Sequence, residues 1–367
     1  MKSRAVQALS TLLVAYVAAQ VAVWVHAPIP WMLGPLLVTA FASIRGWPVR
    51  SLLGLRNMGQ WVIGSALGLY FTAEVGQMLL GLWWVILLGV VWALGAGWAL
   101  GRWLERRHAH DLADLSPEGR RATTFLASAI GGASEMTLLA ERSHARTDLV
   151  AAAHSLRMMV VVTTVPLAMQ LAQLAWGLKV DMGLRPVAQA ADWPALLQLA
   201  GVTLVGVAVM RWTGGANPWF MGALLASMGM TSMGWVHLQM PGWISNLAQL
   251  VVGVGLGVRF SPAFVRTAPR WMGSVMLGTL ALLLGGAVVA LVLAALSGLH
   301  PATLILSTSP GGVTEMSITA KVLQLGAPTV TAMHVTRLVA VLMLARPLLA
   351  WQHRQEARQG KTGHGRD

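Results

Sequence analysis

Apolar residues gather in twelve runs along the chain. They lie near 5–25, 30–44, 52–71, 76–100, 121–141 and 148–176 in the first half, and near 195–212, 217–233, 243–260, 271–297, 301–322 and 327–350 in the second. Most approach the roughly 20 residues that a helix needs to cross a bilayer. The pattern predicts an all-α polytopic membrane protein.

Two of these runs carry a break. "AIGGASEMT" at 129–137 and "SPGGVTEMS" at 309–317 each set a glycine pair and a glutamate inside an apolar stretch. A hairpin of about 20 residues makes two half-helices of about 15 Å each. Its tip then falls near the centre of the hydrocarbon layer, which is about 30 Å thick. Gly131, Gly132, Gly311 and Gly312 are expected to supply the backbone angles of the tips. Ser134 and Thr314 are placed to N-cap the returning half-helices. Hairpins 121–141 and 301–322 are expected to enter and return on one side, leaving five full spans in each half; if all twelve runs spanned, Arg211, Arg259, Arg266 and Arg270 would fall outside, against the loop-charge rule.

The halves repeat one another. At an offset of 180 residues, Gly131, Gly132, Glu135, Met136, His154 and Arg157 meet Gly311, Gly312, Glu315, Met316, His334 and Arg337. At 189, "NMGQWVIGSALGLYFT" from Asn57 meets "NLAQLVVGVGLGVRFS" from Asn246, and at 188 "PWMLGPLL" meets "PWFMGALL". An odd number of spans inverts the second half, so two inverted-topology repeats are expected, a construction of secondary transporters. The units are a first repeat at 1–178, a linker at 179–194, a second repeat at 195–351 and a basic disordered tail at 352–367. "MKSRAVQALSTLLVAYVAAQVAVWV" resembles a signal peptide in outline, but its apolar part is long enough to span and it opens the repeat, so it reads as a retained first helix.

Composition sharpens this picture. The chain is 56% hydrophobic and 11% charged, against about 25% charged in ordinary soluble domains. With no cysteine, disulfides, thiolate metal sites and iron–sulfur chemistry are excluded. A net charge of +13 fits basic cytoplasmic loops better than nucleic acid. With the N-terminus inside, all of the 26 Lys and Arg fall on the inside except Lys179, Arg185 and Lys321 outside and Arg157 and Arg337 within the membrane. A bacterial cytoplasmic-membrane protein with both termini inside is expected.

Of the 13 acidic residues only Glu135 and Glu315 fall mid-segment. A charge there costs about 2.5–3.5 kcal/mol on insertion scales and marks function by default. Such carboxylates suit a proton or cation carrier. On the next segments, His154 with Arg157 and His334 with Arg337 share a helix face at i and i+3. Each arginine with a half-helix N-terminus makes an anion clamp; the alternative is a buried Glu–Arg pair locking hairpin to neighbour. The histidines equally fit a structural role. Asn57, Gln60, Asn246 and Gln249 lie on faces rich in glycine, which serve tight helix packing or line a cavity.

With both GG-x-[ST]-E-M breaks and both H-x-x-R helices, the sequence resembles the AbrB-type bacterial membrane family, whose members carry ammonia-monooxygenase or regulator labels. The likeness covers roughly 5–350. More distantly, the layout is similar to inverted-repeat cation–proton antiporters and anion symporters, by architecture alone. One His and one Glu per half do not make an oxygenase metal site, so no metal, cofactor or enzymatic activity is expected. The leading expectation is a secondary transporter of a small anionic or zwitterionic solute, coupled to protons or a cation, with the bilayer and that solute as partners. The alternative is a membrane sensor or regulator on the same fold that acts on gene expression indirectly. Analogous transporters imply a homodimer.

Overall fold

A computed structural model describes residues 4–177, 193–236, 238–260 and 268–363. Its helices in chain order are α1 (Arg4–Trp24), α2 (Pro30–Ile44), α3 (Leu53–Gly68), α4 (Ala73–Gly81), α5 (Trp83–Arg107), α6 (Pro117–Ser128), α7 (Ala133–Arg142), α8 (Thr147–Trp176), α9 (Trp193–Trp212), α10 (Pro218–Ser232), α11 (Gly242–Gly257), α12 (Pro269–Ser297), α13 (Pro301–Thr308), α14 (Val313–Val322) and α15 (Ala327–Gly363). The expected linker at 179–194 lies outside the described residues up to Trp193.

Among the described residues, six helices are long and apolar enough to cross a membrane, α1, α5, α8, α9, α12 and α15, and the bent pair of α3 and α4 makes a seventh if it is one span. Ten full spans are expected from the runs, but α2, α3, α10 and α11 have only 15 or 16 residues. At 1.5 Å per residue these reach about 24 Å at most, short of the roughly 30 Å hydrocarbon layer. Their outer neighbours expose apolar side chains. On α1, Leu9, Leu13 and Val17 stand exposed in one i, i+4 row, an apolar surface that water would not tolerate on a monomer.

The charged stretch after α5 is more helical than its composition suggests. Helix α5 runs on to Arg107, with Arg106 and Arg107 complementing the dipole of its last turn. Helix α6 starts at a Ser116 side-chain cap followed by Pro117 and Glu118. The run near 76–100 is divided: α4 turns away from α3 by 83° before α5 begins. At the other end, α15 continues through "QHRQEARQGK", mostly Gln, Arg, Glu, Ala and Lys of good helix propensity, beyond the expected end near 350.

Small residues set the central packing. The Cβ positions of Gly64 and Gly68 on α3 are filled by Phe220 and by Leu224 and Ser227 of α10. Those of Gly253 and Gly257 on α11 are filled by Met32, and by Leu36 and Thr39, of α2. The two sets are equivalent at the repeat offsets, so the halves exchange contacts. Helices α3 and α11 cross at Gly59 and Ala248, themselves an equivalent pair. They run antiparallel: Arg56 at the start of α3 lies on Gly255 near the end of α11. Lys321 reaches both Ser245 at the start of α11 and Tyr70 just past α3.

Candidate functional site

Both glycine pairs break a helix. Residues 129–132 separate α6 from α7, and 309–312 separate α13 from α14. The N-caps of the returning helices are Gly132 and Gly312, neither with a side-chain cap, so Ser134 and Thr314 do not cap. Backbone angles at these caps are ordinary extended ones, with φ −68° and −76°. Glycine is needed for space instead. A Cβ on Gly132 would collide with the Glu135 carboxylate, and one on Gly312 with that of Glu315. Each glutamate, three residues past its cap, folds back toward the orphan N–H groups of its own helix start, as in a capping box.

The H-x-x-R helices brace the breaks. His154 Nε2 lies 2.9 Å from the Leu126 carbonyl oxygen, and His334 Nε2 lies 2.9 Å from that of Leu306. Arg157 donates to Ser128 and Ala129 carbonyls at 3.0 and 2.8 Å, and to His154 Nδ1 at 2.8 Å. Nδ1 is then the acceptor, which makes Nε2 the protonated nitrogen of a neutral His154. Arg337 donates to the carbonyls of Ser309 and Gly311, both at 2.6 Å. Neither arginine pairs directly with a glutamate within 4.0 Å. Their forks satisfy carbonyls that the broken helices leave without partners.

The breaks meet in one cavity of about 280 Å³. Gly131, Gly132, Ser134, Glu135, His154 and Arg157 line it from the first half, and Gly311, Gly312, Thr314, Glu315 and Arg337 from the second. Asn57 and Gln60 join them. His334 is wholly buried behind the wall. Asn246 and Gln249 do not reach the cavity, because the antiparallel α11 carries its start to the opposite end of the crossing. The halves differ in exposure: Ser134 is exposed and Glu135 half-buried, whereas Thr314 and Glu315 are buried.

Two further cations line the same space. Arg56 comes from the first turn of α3, and Arg259 lies just past the end of α11. Both interact through space with Glu135 and Glu315. Sequence reasoning counted them only as inside charges, at the ends of the runs 52–71 and 243–260. Their signal was an exception to the repeat: at the offset of 189, Arg56 meets Ser245 and Arg259 meets Tyr70.

Residues 31–353 match the family described as transition state regulatory protein AbrB. The chain belongs to the AbrB family. This AbrB-family chain is 24% identical over 356 residues to an uncharacterized protein, YhjN, of Bacillus subtilis (strain 168), covering 89% of this chain and 88% of that one. It is also 24% identical over 329 residues to a protein of Escherichia coli (strain K12) named "Putative regulator AbrB", covering 87% and 88%. No solved structure matches it.

Proposed function

We propose that this AbrB-family protein is a secondary transporter of a small anionic or zwitterionic solute, coupled to protons or another cation by alternating access. The observation that carries the reading is the shared cavity. Two helix breaks, two carboxylates and four guanidiniums, drawn from both halves, converge on a space of about 280 Å³ inside an apolar helical protein. Ionisable groups at such depth are rare unless they handle a solute or ion. In this reading Glu135 and Glu315 carry the coupling proton or cation, and the protein is a carrier rather than an enzyme.

The architecture that goes with it is two inverted-topology repeats, each with a re-entrant broken hairpin. Reciprocal glycine contacts support a two-fold relation between halves. A two-fold that relates antiparallel α3 and α11 runs across their axes, which is the bilayer plane if they stand across the membrane. Placing Arg56 and Arg259 on the inside, as the loop-charge rule does, makes this form, with Ser134 exposed, open to the cytoplasm of a bacterial inner membrane. Homodimerisation belongs to the same reading.

The test is flux of purified protein in liposomes holding a pH-sensitive dye, with small organic anions imposed as gradients. Solute-driven proton movement that Glu135→Gln and Glu315→Gln abolish is expected; unchanged proton movement in both variants would remove the coupling role. The regulatory description of the family favours a second reading, a ligand sensor. Stabilisation by an anion in detergent, with no flux in liposomes, would select it.

A further inference from the structure

The charges around the cavity do not balance. Arg56, Arg157, Arg259 and Arg337 face Glu135 and Glu315, so two positive charges remain even with both carboxylates ionised. The four guanidiniums are not equivalent. Arg157 and Arg337 are spent on carbonyls of the helix breaks. The guanidiniums of Arg56 and Arg259 have no hydrogen-bond or ion-pair partner among the described residues, and Nε of Arg56, like that of Arg337, is buried without an acceptor. Two like charges held near each other in a space of low dielectric have no counter-charge in direct contact, since Glu135 and Glu315 act on them only through space.

Resting on the solute-site reading above, we infer that Arg56 and Arg259 together bind a small dicarboxylate, one carboxylate on each fork. A planar guanidinium matches a carboxylate through two parallel hydrogen bonds. Their separate origins, on the start of α3 and the end of α11, favour two anionic groups joined by a short spacer over one compact anion. Met158, Leu256 and Leu338 supply apolar wall for that spacer. Two carboxylates also bring the surplus charge of the lining to zero, which a monocarboxylate does not. The opposite end of the α3–α11 crossing has Ser245 and Tyr70 at the equivalent positions, so the site exists at one end only.

The experiment is calorimetric titration of the full-length protein in nanodiscs with malonate, succinate, glutarate and adipate, and with butyrate and inorganic phosphate as controls. At least one dicarboxylate is expected to bind about tenfold or more tighter than butyrate and phosphate. Arg56→Gln and Arg259→Gln should each weaken it by about tenfold or more, since a charged hydrogen-bonded partner is lost. Arg56→Lys and Arg259→Lys should recover part of the loss, and unchanged melting temperatures would show that the variants are folded. Absence of dicarboxylate binding, phosphate binding as tightly, or indifference to both glutamine variants would overturn the inference. Dicarboxylate binding without liposome flux would remove the transport reading and leave this one standing. Flux of monocarboxylates alone would do the reverse.

Discussion

Arg337 donates to the carbonyl oxygen of Gly311 at 2.6 Å, bracing the α13–α14 break directly at its glycine tip. Its repeat counterpart Arg157 stops short of the tip and bonds Ser128 and Ala129 instead. Both arginines are thus parts of the scaffold that holds the breaks open. Arg337→Gln should orphan two buried carbonyls at about 1–3 kcal/mol each, giving a clear drop in melting temperature in detergent. Arg337→Lys keeps the charge without the fork and should recover only part of it. A variant that melts like the parent but loses solute binding would return Arg337 to a direct solute role.

The glycine pairs make room for carboxylates, and the two halves should feel their loss unequally. Gly312→Ala would collide with Glu315, which is buried, and with Met158 Cε. Gly132→Ala would collide with Glu135, which is only half-buried and can swing toward the cavity mouth. The first substitution should destabilise by about 1–3 kcal/mol, an overpacking cost, and the second by less. Thermal melts of the two single variants compare them; equal effects would mean that both carboxylates are equally confined.

Much of this site was legible in the chain, for physical reasons that also explain the omissions. Gly131, Glu135 and Arg157 stood out because each contradicts its apolar surroundings and recurs 180 residues later. Arg56 and Arg259 contradict nothing locally, since cations at segment ends are ordinary; only the folded antiparallel crossing of α3 and α11 brings them together. The same crossing takes Asn246 and Gln249 away from the cavity although they repeat Asn57 and Gln60. The number of full spans was read less well. A hydrophobic run records burial as readily as lipid contact: α2 and α10 match the runs at 30–44 and 217–233 to within a residue, yet are too short to cross the hydrocarbon layer.

Between α5 and α6, outside the membrane segments, one ion pair predicts a response to acid. His108 Nδ1 lies 2.9 Å from Asp111 Oδ2. The hydrogen bond with His108 holds the Asp111 carboxyl below its ordinary value of 3.8. A depressed carboxylate contributes stability that is fully present above the unfolded value and lost as pH falls through the folded one. Asp111→Asn should therefore melt slightly lower than the parent at pH 7, and the difference should shrink as pH falls below 3.8 and vanish once the folded carboxyl is protonated. A difference that persists in strong acid would assign the effect to packing at the end of α5.

Lys321 closes the end of the crossing opposite the arginines, with its ammonium 3.5 Å from Ser245 Oγ and 5.8 Å from the centre of the Tyr70 ring. Its repeat counterpart is Glu141, so this latch, like the arginine pair, exists on one side only. The absence of native cysteine makes the asymmetry measurable. Ser134→Cys, at an exposed position beside Glu135, should react readily with a maleimide supplied from the cytoplasmic face. Thr314→Cys, at 4% exposure, should be protected from both faces. Adding Lys321→Ala removes the ammonium that joins Ser245 to Tyr70, and Thr314→Cys should then gain labelling from the outer face by several-fold, since a cation–π contact is worth about 0.5–1 kcal/mol at an exposed site and about 2 kcal/mol when desolvated, and this one is part-buried. If labelling of Thr314→Cys stays unchanged, the closure rests on helix packing and Lys321 is a bystander. If Ser134→Cys labels from the outer face instead, the orientation is reversed and the arginine pair opens outward.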